Sequence, residues 1–303
     1  MRQSVPHTPD SHLNLWRQAL TGLDSVAGIS GWLHSPTEQS EADLVDRISV
    51  DVLNKLNPRA RELPSIRVGV EAAVRNLVAS AHLQQDQQVK VLGLAGMGGI
   101  GKTTLAKALF NHLLPDFQAA NCFLADVRSR AALPEGIQKL QHQVLRDLCG
   151  KADLPSDADE GIALLRHCLG GHKVLLVLDD VAPQSGPDSP DMVSSLLVFE
   201  SLPSGSCVII TSRDKSVLER AGCTPVVDVS LLDKEQARQL FSMHAFPTAL
   251  EPSGLSELVS SAVEACQGLP LTLKVMGALL HNDTSLKSCL RGCKSLIWVG
   301  AAD

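Results

Sequence analysis

The chain has 303 residues, 44% of them hydrophobic and 20% charged, with a formal charge of −6. That composition is ordinary for a globular protein with room for one large domain or two to three small ones, and the negative balance argues against a nucleic-acid surface of any size. No apolar run approaches the ~18 residues of a membrane span.

The polar segment 1–11 lacks the apolar core of a signal peptide. Eight cysteines occur without a C-x-x-C pair, and no histidine motif accompanies Cys289 and Cys293. They read as free thiols in a reducing compartment, so a cytoplasmic location is expected. With 3% aromatics and no tyrosine, a stacking platform for single strands is disfavoured too.

In chain order, Leu13, Trp16, Leu20 and Leu23 share one helical face. Leu44, Ile48, Val52 and Leu56 mark a second helix that Asn57-Pro58 ends. Segment 64–71 reads as a linker and 72–83 as a helix. Val89-Lys90-Val91-Leu92-Gly93-Leu94-Ala95 then has the length and apolarity of a buried strand.

Directly after it stands Gly96-Met97-Gly98-Gly99-Ile100-Gly101-Lys102-Thr103-Thr104, which fits the P-loop pattern G-x-x-x-x-G-K-[ST]. Leu105, Leu109 and Leu113 follow at helical spacing. Strand, glycine loop and helix form the context this motif requires. Loop and helix N–H groups converge there on phosphate oxygens, and the helix N-terminus adds a partial positive charge. Lys102 reaches the β- and γ-phosphates, and the Thr103 hydroxyl ligates Mg²⁺. The pattern predicts a bound nucleoside di- or triphosphate.

A second strand is read over 121–127, a helix through Ile137, Leu140, Val144 and Leu148, and another through Ile162, Leu165 and Leu169. Lys173-Val174-Leu175-Leu176-Val177-Leu178-Asp179-Asp180 is a buried parallel strand ending in two acids. At the carboxyl end of such a strand Asp179 would hold Mg²⁺ and Asp180 would orient or deprotonate a water. The bland alternative is two solvated aspartates at a strand end. After a helix over 193–199, a fourth strand over 206–211 ends in Ser212-Arg213-Asp214. Arg213 either contacts the terminal phosphate or pairs with Asp214. A fifth strand spans 225–229, and the alternation over 89–229 specifies a three-layer α/β fold. From 230 onward the pattern is all helix, over 234–244, 255–266 and 271–280, with Pro270 near the start of the last.

The ordered motifs GMGGIGKTT, NCFLADVR, KVLLVLDDV, GSCVIITSRD, LFSMHAF and QGLPLTLKVMG resemble the NB-ARC nucleotide-binding module of plant intracellular immune receptors. The resemblance spans roughly 64–282. NCFLADVR looks like the branch with an N-terminal TIR domain, although residue 182 is alanine where that branch often has aspartate. Trp16-Arg17-Gln18-Ala19-Leu20 and Gly31-Trp32 look like the last helix and exit of such a domain, too short a piece for NAD cleavage.

The resemblance implies an α/β P-loop NTPase with a three-layer parallel sheet followed by a small all-α helical subdomain. It divides the chain into a TIR-like helical tail and linker (1–62), a P-loop domain (63–229), a helical subdomain (230–282) and an unpatterned tail (283–303). ADP or ATP with Mg²⁺ would be held by Val68, Gly98, Gly99, Ile100, Gly101, Lys102, Thr103, Thr104 and Pro270, and the metal by Thr103 and Asp179. Asp180 would be the hydrolytic acid and Arg213 the γ-phosphate sensor.

The function implied is an ADP/ATP switch in plant defence signalling. An ATP-hydrolysing enzyme and a nucleotide-binding scaffold that does not switch remain as alternatives. No Asn-Lys-x-Asp guanine signature follows the P-loop. Asp180 is shorter than the glutamate of fast hydrolases, and no second arginine lies on an obvious lid, so hydrolysis is expected to be slow. No winged-helix segment with Met-His-Asp or leucine-rich repeat follows, which reads as a truncated receptor or short relative. An apolar face is then expected at Leu273, Val275, Met276 or Leu279, open to self-association or a partner chain.

Overall fold

The structure is a computed structural model, and it describes residues 60–81, 88–117, 120–150, 154–169, 173–183, 192–196, 199–246 and 256–282. These belong to a compact unit spanning Arg59–Asp303. The helices expected over 12–23 and 40–56, and the tail 283–303, lie outside the described residues.

The described elements in chain order are α1 (Val70–Ser80), β1 (Lys90–Ala95), α2 (Lys102–Leu113), β2 (Asn121–Leu124), α3 (Val127–Ala131), α4 (Gly136–Cys149), α5 (Ala158–Cys168) and β3 (Leu175–Val181). They continue with α6 (Met192–Leu196), β4 (Cys207–Ser212), α7 (Lys215–Arg220), β5 (Val226–Asp228), α8 (Lys234–Ala245), α9 (Ser256–Ala265) and α10 (Pro270–Asn282). The strands form one sheet in the order β2-β3-β4-β1-β5, with every neighbouring pair parallel.

The sheet is covered on both faces, which is why its strands read as continuous apolar runs. Leu176, Leu178, Val208 and Ile210 pack with Leu140 and Val144 of α4, Leu165 of α5 and Val217 of α7. Their sequence neighbours Leu175, Val177 and Ile209, with Leu92 and Leu94, point the other way onto Leu77 of α1 and Leu105, Leu109 and Phe110 of α2. Each such fully buried side chain contributes about 1.5–3 kcal/mol.

A third core holds α8, α9 and α10 together through Leu240, Phe241, Val259, Leu273, Met276 and Leu280. At Gly277 a Cβ would stand 2.8 Å from the Phe241 carbonyl oxygen, so glycine is what lets α10 cross α8 this closely. Ile66 and Val68 pack against this third core, which ties the segment ahead of α1 to the helical part.

Four expectations change. The second strand stops at Leu124, because Asp126 takes the left-handed conformation (φ 52°) and opens α3 at Val127. α7 was not expected; the Asp214 carboxylate accepts from the Ser216 N–H and caps it. That capping role takes the place of the Arg213–Asp214 pair. On α10, Leu273 and Met276 are buried, because positions 273, 276 and 280 face the third core. Val275 and Leu279 are exposed as expected, at 42% and 51%, and Leu271 joins them at 53% to form an apolar stripe.

Candidate functional site

In a parallel sheet the cleft opens at the carboxyl ends of the strands, where chain order and spatial order part company. Here the chain leaves β1, passes over β4 and β3, and returns at β2. The loop after β1 therefore sits beside the ends of β4 and β3, which carry Thr211, Arg213, Asp179 and Asp180.

Gly99 (φ 77°) and Gly101 (φ 103°) give the loop its tight turns. α2 starts at Lys102 with Gly101 as its N-cap and no side-chain cap bond, so its first-turn N–H groups are left for a ligand. The Lys102 ammonium is buried, at 7% exposure, and donates to the carbonyls of Gly96 (2.6 Å) and Met97 (2.9 Å). Burial holds its pKa below the ordinary lysine range and the Arg213 charge adds to this, while Asp180 and Asp179 pull the other way.

Thr103 donates its hydroxyl to the Asp179 carboxylate, 2.9 Å from Oδ1 and 3.0 Å from Oδ2. Thr211 donates to Asp179 Oδ1 at 2.8 Å and accepts from the Asp180 N–H at 2.9 Å. Burial raises the Asp179 pKa, and the Thr211 and Thr103 hydroxyls oppose that rise.

The ladder between β3 and β4 shifts register between Leu178 and Val181, and within that bulge Asp180 takes φ 56°. A bulge re-aims side chains at a strand end. Asp179 is thereby held among hydroxyls while Asp180 lines the cavity. Asp180 forms ion pairs with Arg128 Nη2 (2.8 Å, through Oδ2) and Arg213 Nε (3.5 Å, through Oδ1).

The cavity between sheet and helical part has a volume of about 920 Å³, at the upper end of small-ligand sites. Val68, Val70, Leu240 and Pro270 line it, together with 98–105 of the loop and α2. The helical part meets the loop where the Leu271 N–H donates to the Gly99 carbonyl at 3.2 Å.

Every sequence-predicted site residue thus borders this cavity except Asp179, which reaches it through Thr103. Uncapped amides, a buried ammonium and a carboxylate–hydroxyl pair suit a polyphosphate with a hard divalent ion. Sequence reading missed Thr211, Arg128, His244 and Lys274. Burial lowers the His244 pKa, and Lys274 adds to that. Arg128 and His244 stand inside quoted motifs, NCFLADVR and LFSMHAF, but neither carries a pattern of its own. Among the described residues no group of three or more His, Cys, Asp and Glu side chains could hold a metal, and Cys122, Cys207, Cys223 and Cys266 form no disulfide. No helix among them is long and apolar enough to cross a membrane.

The model of the NB-ARC domain matches residues 70–251, more than half of the chain. The disease resistance protein RUN1 of Vitis rotundifolia is 34% identical over 273 residues, covering 89% of this chain and 19% of its own length. The TMV resistance protein N of Nicotiana glutinosa is 29% identical over 297 residues, covering 95% and 25%. The chain spans about a fifth to a quarter of the length of these relatives. Among solved structures, a chain of the Drosophila ORC bound to DNA superposes with a TM-score of 0.54 at 16% identity, over 90% of this chain and 73% of that one. That likeness is one of fold, the α/β fold with a parallel sheet. On its sequence match, the chain belongs to the NB-ARC family, alongside these plant disease resistance proteins.

Proposed function

We propose that this chain binds ADP and ATP and acts as a nucleotide-dependent switch in plant defence signalling, with slow hydrolysis between its two states. One observation carries the reading: Thr103 and Asp179, far apart in sequence, bond beside the buried Lys102 ammonium at the N-terminus of α2. In this reading the loop amides from Gly98 to Thr104 hold the phosphates. Thr103 and Asp179 hold Mg²⁺, which when bound neutralises charge on the phosphate oxygens. Val68 and Pro270 flank the adenine. Arg213 reads the terminal phosphate, and Asp180 is the acid nearest to it.

The compartment proposed is the cytoplasm, which the four described cysteines standing outside any disulfide support. The exposed stripe of α10 supports self-association of the chain. Mass spectrometry of nucleotide released from freshly purified protein tests the switch. ADP is the expected result; guanine nucleotide, or no nucleotide with no affinity for added ADP, overturns it.

A further inference from the structure

Asp180 is held from two sides. Arg128 reaches its Oδ2 at 2.8 Å and Arg213 its Oδ1 at 3.5 Å. The two arginines are not equivalent. Arg213 lies over the phosphate loop, with its guanidinium 3.6 Å from where a Cβ on Gly98 would stand, and it borders the cavity. Arg128 does not border the cavity; it follows the left-handed turn at Asp126 and the buried Val127 at the start of α3. The neighbouring Arg130 takes a different task, donating to the Ala125 carbonyl and the Gln143 side chain.

We propose that Arg128 is a positioning residue that sets the preference between di- and triphosphate. It neutralises Asp180 from outside the cavity lining, so that the carboxylate retains Arg213 lightly beside the loop and yields it to a terminal phosphate. A terminal phosphate approaching Arg213 also approaches the Asp180 carboxylate, and like charges at that range repel. With Arg128 in place that repulsion is offset. Without it, Asp180 keeps a full charge facing the cavity and turns both oxygens to Arg213. The β-phosphate of a diphosphate, held by loop amides and Lys102, does not depend on this exchange. The inference rests on the nucleotide reading given above.

A double-mutant cycle on the full chain tests it, with ADP and ATP affinities measured separately by calorimetry in Mg²⁺. Arg128→Ala should weaken ATP by roughly three- to tenfold, the range of coupling between paired charges, and ADP by less than twofold. Arg128→Lys should restore most of the ratio. Asp180→Asn should raise ATP affinity, and in that background Arg128→Ala should no longer change the ratio, because its action runs through Asp180. Equal losses for both nucleotides, or a ratio that Arg128→Ala still shifts in the Asp180→Asn background, overturn the assignment while leaving the nucleotide site standing. A wild-type chain that binds neither nucleotide overturns both.

Discussion

The Thr103 hydroxyl and the Asp179 carboxylate lie 2.9 Å apart although 76 positions separate them in the chain. β4 makes this possible. It stands between β1 and β3, and its Thr211 hydroxyl fills the gap, donating to Asp179 and accepting from the Asp180 backbone. A buried carboxylate is thus held where a hard cation would need it, and the protein's stability should carry a trace of that burial.

The trace is pH-dependent. Burial raises the Asp179 pKa above its unfolded value of 3.8. Between the unfolded and folded values the native chain holds a proton that the unfolded chain has released, so stability falls as pH rises through that interval. Asp179→Asn removes the titration and still accepts from Thr103 and Thr211. Without nucleotide, its thermal midpoint should exceed that of the wild type at pH 7, and the gap should close as pH falls below the ordinary aspartate range. A gap that does not vary with pH would mean that Asp179 ionises at no cost to the fold.

Lys102 lends itself to a simpler test. A charge-assisted hydrogen bond contributes about 1.5–3 kcal/mol, roughly 10- to 150-fold in affinity. Lys102→Ala should therefore weaken ADP by at least about tenfold, measured by calorimetry, with an unchanged circular dichroism spectrum. Unchanged affinity would mean that the phosphates sit elsewhere.

Much of this site is legible in sequence because its parts are local. Gly96 to Thr104 declare a loop by composition, and the run ending in Asp179-Asp180 declares a buried strand by apolarity. The remainder depends on contacts across the sheet. Thr211 is one polar residue at the end of an apolar strand, and nothing nearby marks it as the partner of Asp179. Arg128 follows directly on a stretch, 121–127, that reads as continuous strand, and the left-handed turn at Asp126, which aspartate tolerates better than most residues, has no pattern to announce it. The bulge at Asp180 is a register effect between β3 and β4 and has no signature in either strand. On α10 the sequence leaves Leu273 and Met276 undistinguished from Val275 and Leu279 for a related reason: periodicity gives two apolar faces, 273/276/280 and 271/275/279, and only packing in the third core chooses between them.

Gly99 couples the loop to the helical part. A Cβ there would stand 2.8 Å from the Leu271 Cβ, at a φ of 77° that side chains rarely adopt. Gly99→Ala should cost about 1–3 kcal/mol of stability and push the first turn of α10 away from the loop. Hydrogen exchange at the Leu271 amide, which donates to the Gly99 carbonyl, should speed up well beyond the change at core strands. Exchange that rises uniformly would point to global destabilisation and not to a broken coupling.

Leu271, Val275 and Leu279 repeat every four residues along α10, and Met243 of α8 is exposed as well, at 40%. Apolar surface arranged as a stripe favours association over hydration. Light scattering should show the mass rising with concentration, and Val275→Glu with Leu279→Lys should return it to that of a monomer without changing the helical content. A wild-type chain that stays monomeric at high concentration would rule out self-association through this face.

The last expectation concerns turnover. A general base must present a free carboxylate oxygen to water, within hydrogen-bond reach of the proton it takes. Both Asp180 oxygens face guanidinium groups, Oδ2 on Arg128 and Oδ1 on Arg213. Oxygens engaged by guanidinium groups are not open to a water, and release of Arg213 to a terminal phosphate frees only one of them. The aspartate side chain is also one methylene shorter than a glutamate would be. Phosphate release from ATP should then run well under the ~10 s⁻¹ typical of enzymes. Single-turnover measurements with excess protein separate the chemical step from product release, and the chemical step itself should be slow if Asp180 is restrained as described. Steady-state release at tens per second, lost in Asp180→Ala, would show that the carboxylate leaves both arginines during the reaction. The chain would then be a turnover enzyme and not a switch.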